Sequence, residues 1–209
     1  MKILAIDCCL KLTGAALLID DKVVYSQEDL GRRQSQELPR MTENLLRENN
    51  LNWGDLDYVA LTNGPGYFTG IRVGAAYATG LAYACGKKII PVSSLELLSY
   101  TFREKTGAQK ILTLIYSGHG YVYGACKGYL EAGEYSHDEI KTWLADNPDT
   151  VIISDDPAKT LECLQVKPDL TSLCELAVKN LDRAINPMDL KILYYKAPQG
   201  VNNYPERNE

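Results

Sequence analysis

The segment best suited to binding chemistry in this sequence is residues 64–72, which read Gly-Pro-Gly-Tyr-Phe-Thr-Gly-Ile-Arg. Its glycines allow positive φ angles and a close approach of the backbone to another group. A helix predicted to begin near Gly70 would present its N-terminus, which favours anions. The same spacing also fits a tight strand-to-helix connection that binds nothing, and both interpretations stay open. The anion site would consist of Gly64, Gly66, Thr69 and Arg72.

A second candidate group is the carboxylate of Asp7, which ends the first predicted strand. A carboxylate ahead of such a turn can hold phosphate and magnesium in a nucleotide-binding domain. The turn then normally carries glycine or small polar residues, so that backbone N–H groups approach the phosphate. Residues 8–10 are Cys-Cys-Leu instead, and Asp7 could simply end the strand. The sequence therefore predicts a vestigial nucleotide or anion site, formed by Asp7 with the residues above.

Other catalytic arrangements are missing from the sequence. His119 and His137 lack the spacing of a metal-binding helix, and there is neither a nucleophile elbow nor a G-x-x-x-x-G-K-[ST] phosphate loop. His119 stands between two glycines and is expected to be exposed in a hairpin turn. The six cysteines form no C-x-x-C pair, so we expect reduced and mostly buried thiols. We predict no metal and no cofactor.

Composition sets the class of protein. The chain has 209 residues, of which 45% are hydrophobic and 23% charged, with a net charge of −5. This composition is typical of a globular protein, and the acidic balance argues against a chain that grips nucleic acid alone. No segment has the length of a signal peptide core or of a membrane span, so we expect a cytoplasmic protein without membrane contact. Residues 200–209 are predicted to form a mobile tail.

Hydrophobic periodicity predicts an α/β chain of two contiguous lobes, residues 1–105 and a smaller lobe of residues 106–199. The second half could be a reduced copy of the first. Pro39 is expected in the first turn of its helix, and Ser93, Ser136 and Ser172 are expected to open capping boxes. The predicted strands are 2–6, 13–19, 22–27, 57–62, 88–92, 110–116, 121–128 and 150–154. The predicted helices are 38–49, 70–85, 93–104, 136–145, 157–164 and 172–184.

Two lines of small residues run along the helix predicted at residues 70–85. One line is Gly70, Gly74, Ala78 and Ala82, and the other is Ala76, Gly80 and Ala84. Glycine inside a helix costs about 0.5–1 kcal/mol relative to alanine, so close packing is the expected reason for it. We expect one line to face a sheet. The other would face either a partner helix or the chain itself.

Four blocks of the sequence together resemble the bacterial TsaB (YeaZ) family, in the order and at the spacing of that family. They are Met-Lys-Ile-Leu-Ala-Ile-Asp at residues 1–7, Ser-Gln-Glu-Leu-Pro at 35–39, residues 64–74, and Pro-Val-Ser-Ser-Leu-Glu at 91–96. The second half resembles the family only at residues 122–123 and 194–196. The sequence as a whole departs from the family at Gln34, where histidine is frequent, and at residues 116–118, where Asp-Ala-Arg is usual.

This resemblance implies an actin-like ATPase fold (ASKHA, ribonuclease H-like) with a reduced second lobe. It also implies a noncatalytic subunit needed for N6-threonylcarbamoyladenosine at position 37 of tRNA. The subunit would pair with the catalytic TsaD, be joined by TsaE, reach tRNA through the complex, and form a homodimer when alone. The implied pairing face consists of Leu38, Met41, Leu45, Gly70, Gly74, Tyr77, Ala78 and Leu81.

The alternative is an enzyme in its own right, either a small-molecule kinase of the same fold or a glycoprotease-like metalloprotease. A kinase needs a phosphate-binding first turn, which residues 8–10 do not supply. A metalloprotease needs ligands that two histidines distant in sequence do not supply. For the noncatalytic function, Gly74→Leu is expected to abolish complex formation while the chain stays folded.

Overall fold

Two five-stranded sheets of the same topology form the framework of the computed structural model, which describes residues 1–31 and 33–195. The first sheet has the order β3-β2-β1-β4-β5. Its strands are β1 (Lys2–Asp7), β2 (Thr13–Ile19), β3 (Lys22–Glu28), β4 (Tyr58–Thr62) and β5 (Lys88–Val92). The first three strands are an antiparallel meander, and β4 and β5 continue in parallel. The helices of this half are α1 (Gln34–Glu48), α2 (Phe68–Ala84) and α3 (Ser94–Thr106).

The second sheet repeats this pattern on a smaller scale. Its strands are β6 (Ile111–Gly118), β7 (Tyr121–Cys126), β8 (Leu130–Ser136), β9 (Val151–Ser154) and β10 (Leu164–Gln165), in the order β10-β9-β6-β7-β8. Again an antiparallel meander is followed by parallel strands. The helices are α4 (His137–Ala145) and α5 (Leu170–Lys179). The expectation of a second, reduced copy of the first half is confirmed.

Strand β1 lies at the centre of the first half and is covered on both faces. Successive side chains of a strand point to opposite sides. Leu4 and Ile6 therefore pack in the cluster beneath α1 and α2, while Ile3 and Ala5 pack beneath α5. Burial on both faces explains why the strand is apolar without alternation. The carboxylate of Asp7 consequently emerges inside the protein rather than at its surface.

Each half supplies one helix that packs against the sheet of the other half. Helix α3, which follows the first sheet in sequence, packs against β6 and β9 of the second sheet. Helix α5, which follows the second sheet, packs against β1, β2 and β5 of the first. The predicted boundary near residue 105 between two lobes stays a prediction. Residues 200–209, predicted to be a mobile tail, and Lys196 of the family blocks lie outside the described residues.

Most of the predicted elements of the first half are confirmed, with corrections at helix ends. Helix α1 begins at Gln34, so Pro39 lies inside the helix and not in its first turn. The Ser136 capping box is present, whereas the Ser93 side chain makes no capping hydrogen bond. Helix α5 is capped by Asp169, whose Oδ1 accepts the Thr171 N–H at 2.9 Å. The predicted Ser172 cap is wrong because the helix has already begun.

Two other predictions in the second half are wrong. The helix predicted at residues 157–164 is only a 3₁₀ turn, Pro157–Lys159, followed by the short strand β10. The helix predicted to end near residue 184 ends at Lys179, before a 3₁₀ turn. Strand β8 was not predicted, because its sequence Leu-Glu-Ala-Gly-Glu-Tyr-Ser has few strand-favouring residues. Pairing with β7 makes it a strand.

Candidate functional site

The carboxylate of Asp7 is fully buried at the end of β1. Its Oδ1 accepts hydrogen bonds from the Thr62 hydroxyl at 2.6 Å and from the Cys9 N–H at 3.0 Å. Oδ2 has no partner among the described residues. Burial raises the pKa of Asp7 to about 6; the two hydrogen bonds oppose this rise, and the nearby Asp155 adds to it. This carboxylate is held by the protein interior.

The turn after Asp7 is covered by the backbone of the segment 64–72. A Cβ placed on Gly66 would lie 2.1 Å from the carbonyl oxygen of Cys9, and one on Gly70 would lie 1.9 Å from that of Cys8. The Tyr67 N–H donates to the same Cys9 oxygen at 2.8 Å. Because carbonyl oxygens rather than N–H groups face this contact, the turn is unsuited to phosphate. Gly66 and Gly70 therefore serve a close contact between backbones.

Gly64 serves a second close contact. Its φ is +105°, a conformation that side-chain-bearing residues rarely adopt. A Cβ there would lie 2.9 Å from the carbonyl oxygen of Leu193. The Leu193 N–H in turn donates to the carbonyl of Asn63 at 2.9 Å. The glycine thus lets the segment after the 3₁₀ turn Pro187–Asp189 cross the beginning of the connection to α2.

Thr69 and Arg72, the other predicted anion-site residues, are exposed on the first turns of α2. The Arg72 guanidinium lies 3.8 Å from the centre of the Phe68 ring, and its Nε donates to the Tyr194 hydroxyl at 3.2 Å. Asp7, Gly64 and Gly66 are instead buried or partly buried behind them. The five predicted residues thus divide between an interior contact and a surface cluster.

An acidic pair near the first turn was missed in the sequence. Asp155 and Asp156 directly follow β9, and the Lys11 N–H donates to Asp155 Oδ2 at 3.2 Å. Lys159 Nζ lies 3.0 Å from Asp156 Oδ2 and donates to the Tyr67 hydroxyl at 3.1 Å. Burial raises the pKa of Asp155. The signal in the sequence that could have indicated this pair is two consecutive aspartates directly after a predicted strand. These contacts join the second sheet to the start of α2.

Six of the eight residues predicted for the pairing face are buried in the chain's own core. They are Leu38, Met41, Leu45, Gly70, Gly74 and Ala78. A Cβ on Gly74 would lie 3.1 Å from Cys8 Cβ and 3.4 Å from Leu61 Cδ1, so a leucine there would disturb the core. Gly74→Leu therefore cannot test a partner contact as expected. Tyr77 and Leu81 are partly exposed.

The two lines of small residues on α2 face opposite environments. Gly70, Gly74, Ala78 and Ala82 are all buried against the first turn and the sheet. Ala76, Gly80 and Ala84 are all exposed, and a Cβ on Gly80 would have nothing within 4 Å. Tyr83, beside this exposed line, is 69% exposed. One line of small residues thus packs within the chain, and the other is exposed.

The histidines do not form a site with each other. His119 is exposed in the turn after β6, as expected, and His137 begins α4. Within residues 1–31 and 33–195, no three His, Cys, Asp or Glu side chains are grouped so that they could hold a metal.

Cys8, Cys9, Cys126 and Cys174 are buried, and all six cysteines are free, as expected. No helix in the described ranges is long and apolar enough to cross a membrane.

Comparison with known proteins identifies relatives of this chain. Residues 21–176 match the family model described as TsaD, tRNA N6-adenosine threonylcarbamoyltransferase. The chain is 32% identical over 152 residues to the tRNA threonylcarbamoyladenosine biosynthesis protein TsaB of Escherichia coli, covering 73% of this chain and 62% of the relative. The TsaB of Haemophilus influenzae is 29% identical over 123 residues, covering 59% and 52%. The chain thus spans about half to three fifths of the length of these curated relatives.

Solved structures agree with the fold. YeaZ from Pseudomonas aeruginosa has a TM-score of 0.77 at 21% identity, covering 92% of this chain and 99% of that chain. An uncharacterized protein with similarity to peptidase YEAZ, from the same organism, has a TM-score of 0.78 at 22% identity, covering 93% and 99%. These structures, together with the two sheets of equal topology, confirm the α/β, actin-like fold of two lobes.

Proposed function

The chain belongs to the TsaD family, as a TsaB/YeaZ member of it, and we propose that it acts as a noncatalytic subunit in forming N6-threonylcarbamoyladenosine in tRNA. Its partner in this proposal is a catalytic subunit of the TsaD type, joined by TsaE. The covered first turn supports a noncatalytic function, because carbonyl oxygens of Cys8 and Cys9 face the backbone of Gly66 and Gly70. The net charge of −5 supports a partner that holds most of the tRNA phosphate.

The exposed line of small residues on α2 is the observation that carries the proposal. An exposed glycine in a helix interior costs about 0.5–1 kcal/mol relative to alanine. Gly80 has no contact within the described chain that would justify this cost. A partner helix lying along Ala76, Gly80 and Ala84 would justify it, because small residues let two helix backbones approach closely. In the absence of the catalytic subunit, we expect the same surface to pair two copies of this chain.

The partner surface consequently differs from the set predicted from sequence. Leu38, Met41 and Leu45 are buried on α1. Gly70, Gly74 and Ala78 are buried on the inner side of α2 itself. The partner would instead contact the exposed line of small residues, Ala76, Gly80 and Ala84, together with the side chains that flank it. Tyr77 and Leu81 stay in the proposed surface, and Tyr83 joins it.

Deletion of the gene tests the function directly. We expect N6-threonylcarbamoyladenosine in bulk tRNA to fall strongly in the deletion strain, as measured by mass spectrometry of nucleosides, and to return with the wild-type gene. Normal levels of the modified nucleoside in the deletion strain would overturn the proposal.

Gly80→Leu tests the surface, since the added side chain would project where the partner helix is expected. Gly54→Leu is the matched control, because a Cβ on Gly54 also has nothing within 4 Å and the residue lies off α2. We expect co-purification with the TsaD-type subunit to be lost with Gly80→Leu and kept with Gly54→Leu, while neither variant is less resistant to urea than the wild type. Retention of the complex by Gly80→Leu would show that this surface is not the contact.

A further inference from the structure

A cavity of about 660 Å³ lies between α3, the second sheet and the C-terminal end of α5. It is distinct from the first turn and from the exposed line on α2. Its size is that of pockets that hold small organic ligands, which measure roughly 300–1,000 Å³. Leu95 and Tyr100 of α3, Leu176 of α5, and Tyr195 supply apolar and aromatic walls. The apolar part of a ligand could therefore pack against these walls.

Three polar side chains that line this cavity carry buried atoms without a hydrogen-bond partner in the described part of the chain. The atoms are Arg103 Nε, Thr113 Oγ1 and Asn180 Nδ2. Thr113 is 1% exposed and Asn180 is 7% exposed. The backbone N–H of Asn180 donates to the carbonyl oxygens of Leu176 and Ala177, and the unpaired donor of this residue is its side-chain Nδ2. Three such atoms at one cavity come from three different elements, α3, β6 and the end of α5.

Unpaired buried polar groups are costly, which makes this concentration informative. Each costs about 1–3 kcal/mol, and folded proteins keep only a few of them. An arginine Nε–H can only donate, an amide NH₂ also donates, and a hydroxyl can do either. A partner for all three must therefore bring acceptor oxygens. A carboxylate or a phosphate offers several acceptors on one small group, and arginine binds such oxyanions in a forked geometry.

The charges around the cavity favour an anion. Four cationic side chains line it against two carboxylates, although the whole chain has a net charge of −5. Two of the cations already have partners: Arg183 lies 3.8 Å from Glu96, and Lys179 donates to the Tyr100 hydroxyl at 2.7 Å. Arg103 and Lys127 have no acidic partner among the described residues. Their positive charge is available to a ligand.

We propose that this cavity binds a small organic anion, whose carboxylate or phosphate accepts from Arg103, Thr113 and Asn180 while its body packs on the apolar wall. The proposal does not depend on the partner surface of α2, because the two regions lie on different helices. Side-chain rotation would bring the buried donors onto the anion.

Titration of the full chain with small aromatic probes, followed by amide NMR, tests the proposal. Benzoate and phenyl phosphate are the anions, and benzyl alcohol and benzylamine are the neutral and cationic comparisons. We expect at least one anion to shift amides of α3, β6 and the end of α5 saturably, and the two comparisons to bind at least about tenfold more weakly. Binding of benzoate alone would identify a carboxylate site, and binding of phenyl phosphate alone a phosphate site. Binding of neither anion, or of benzyl alcohol as tightly as the anions, would overturn the proposal.

Variants locate the bound anion. Arg103→Gln should weaken anion binding at least about tenfold, since a charge-assisted hydrogen bond is lost. Thr113→Val, which is nearly isosteric, should weaken binding while leaving resistance to urea unchanged or higher, because it removes an unpaired hydroxyl. Arg47→Gln, an equal loss of charge at an exposed position on α1, is the control and should bind as the wild type does. Equal affinity of Arg103→Gln and the wild type would refute the assigned site.

Discussion

The pair Gly70→Ala and Gly80→Ala places the same substitution in one helix and is expected to change stability in opposite directions. A methyl group on Gly80 meets nothing within 4 Å, so only the helical preference of alanine acts. We expect the free energy of unfolding to rise by about 0.5–1 kcal/mol. A methyl group on Gly70 would stand 1.9 Å from the carbonyl oxygen of Cys8.

The magnitude for Gly70→Ala follows from that distance. Cβ atoms essentially never come within 3.0 Å of such an atom, so the backbones of α2 and of the first turn must separate by roughly 1 Å. Neither side of the contact is the flexible end of a side chain. Overpacking typically costs about 1–3 kcal/mol and occasionally more, and a contact this short belongs at the upper end of that range. The helical preference of alanine offsets less than about 1 kcal/mol of it. We expect the two variants to differ by at least about 3 kcal/mol.

Urea unfolding of the isolated chain, followed by circular dichroism, measures this difference. The midpoints should move apart while the dependence on urea concentration stays the same in both variants, because the amount of surface exposed on unfolding is unchanged. Gly66→Ala should behave like Gly70→Ala, since its Cβ would lie 2.1 Å from the Cys9 carbonyl oxygen. A Gly70→Ala variant as stable as the wild type would show that α2 does not rest on the first turn.

Three further predictions follow from burial and capping. The pKa of Asp7 rises from 3.8 to about 6 in the folded chain, so the unfolded chain releases this proton at lower pH than the folded chain does. As the pH rises from about 4 to about 7.5, the free energy of unfolding of the wild type should therefore fall by up to about 3 kcal/mol more than that of Asp7→Asn. Parallel stability profiles from urea unfolding at each pH would contradict this. Ser136→Ala should lower the free energy of unfolding by about 1 kcal/mol, because Ser136 Oγ accepts the Glu139 N–H, whereas Ser93→Ala should leave it nearly unchanged. Equal losses of stability in thermal unfolding would refute the assignment of the cap. Burial raises the pKa of Cys9 and Cys174 to about 12, so neither thiol should react with Ellman's reagent in the folded chain at about pH 8, and early reaction should be confined to the partly exposed thiols of Cys85 and Cys163.

The first half of the fold was predictable from the sequence because local patterns and tertiary packing agree there. Strands β2 and β5 have the predicted bounds, and both lines of small residues on α2 were visible as four-residue repeats. In the second half local patterns and packing disagree. Strand β8 has a weak strand sequence and depends on pairing with β7, and the apparent helix after Pro157 is only one turn.

The sequence by itself determined that the segment 64–72 needs glycines, that α2 carries two lines of small residues, and that the first turn is apolar. Each of these depends on residue types at fixed spacing along one element. Only the tertiary structure decided what each feature contacts: the glycines meet the carbonyls of Cys8 and Cys9, one line on α2 is buried, and the other is exposed. It also brought Arg103, Thr113 and Asn180 to one cavity. Such contacts join elements distant in the chain, and the packing of sheets and helices fixes them, not local periodicity.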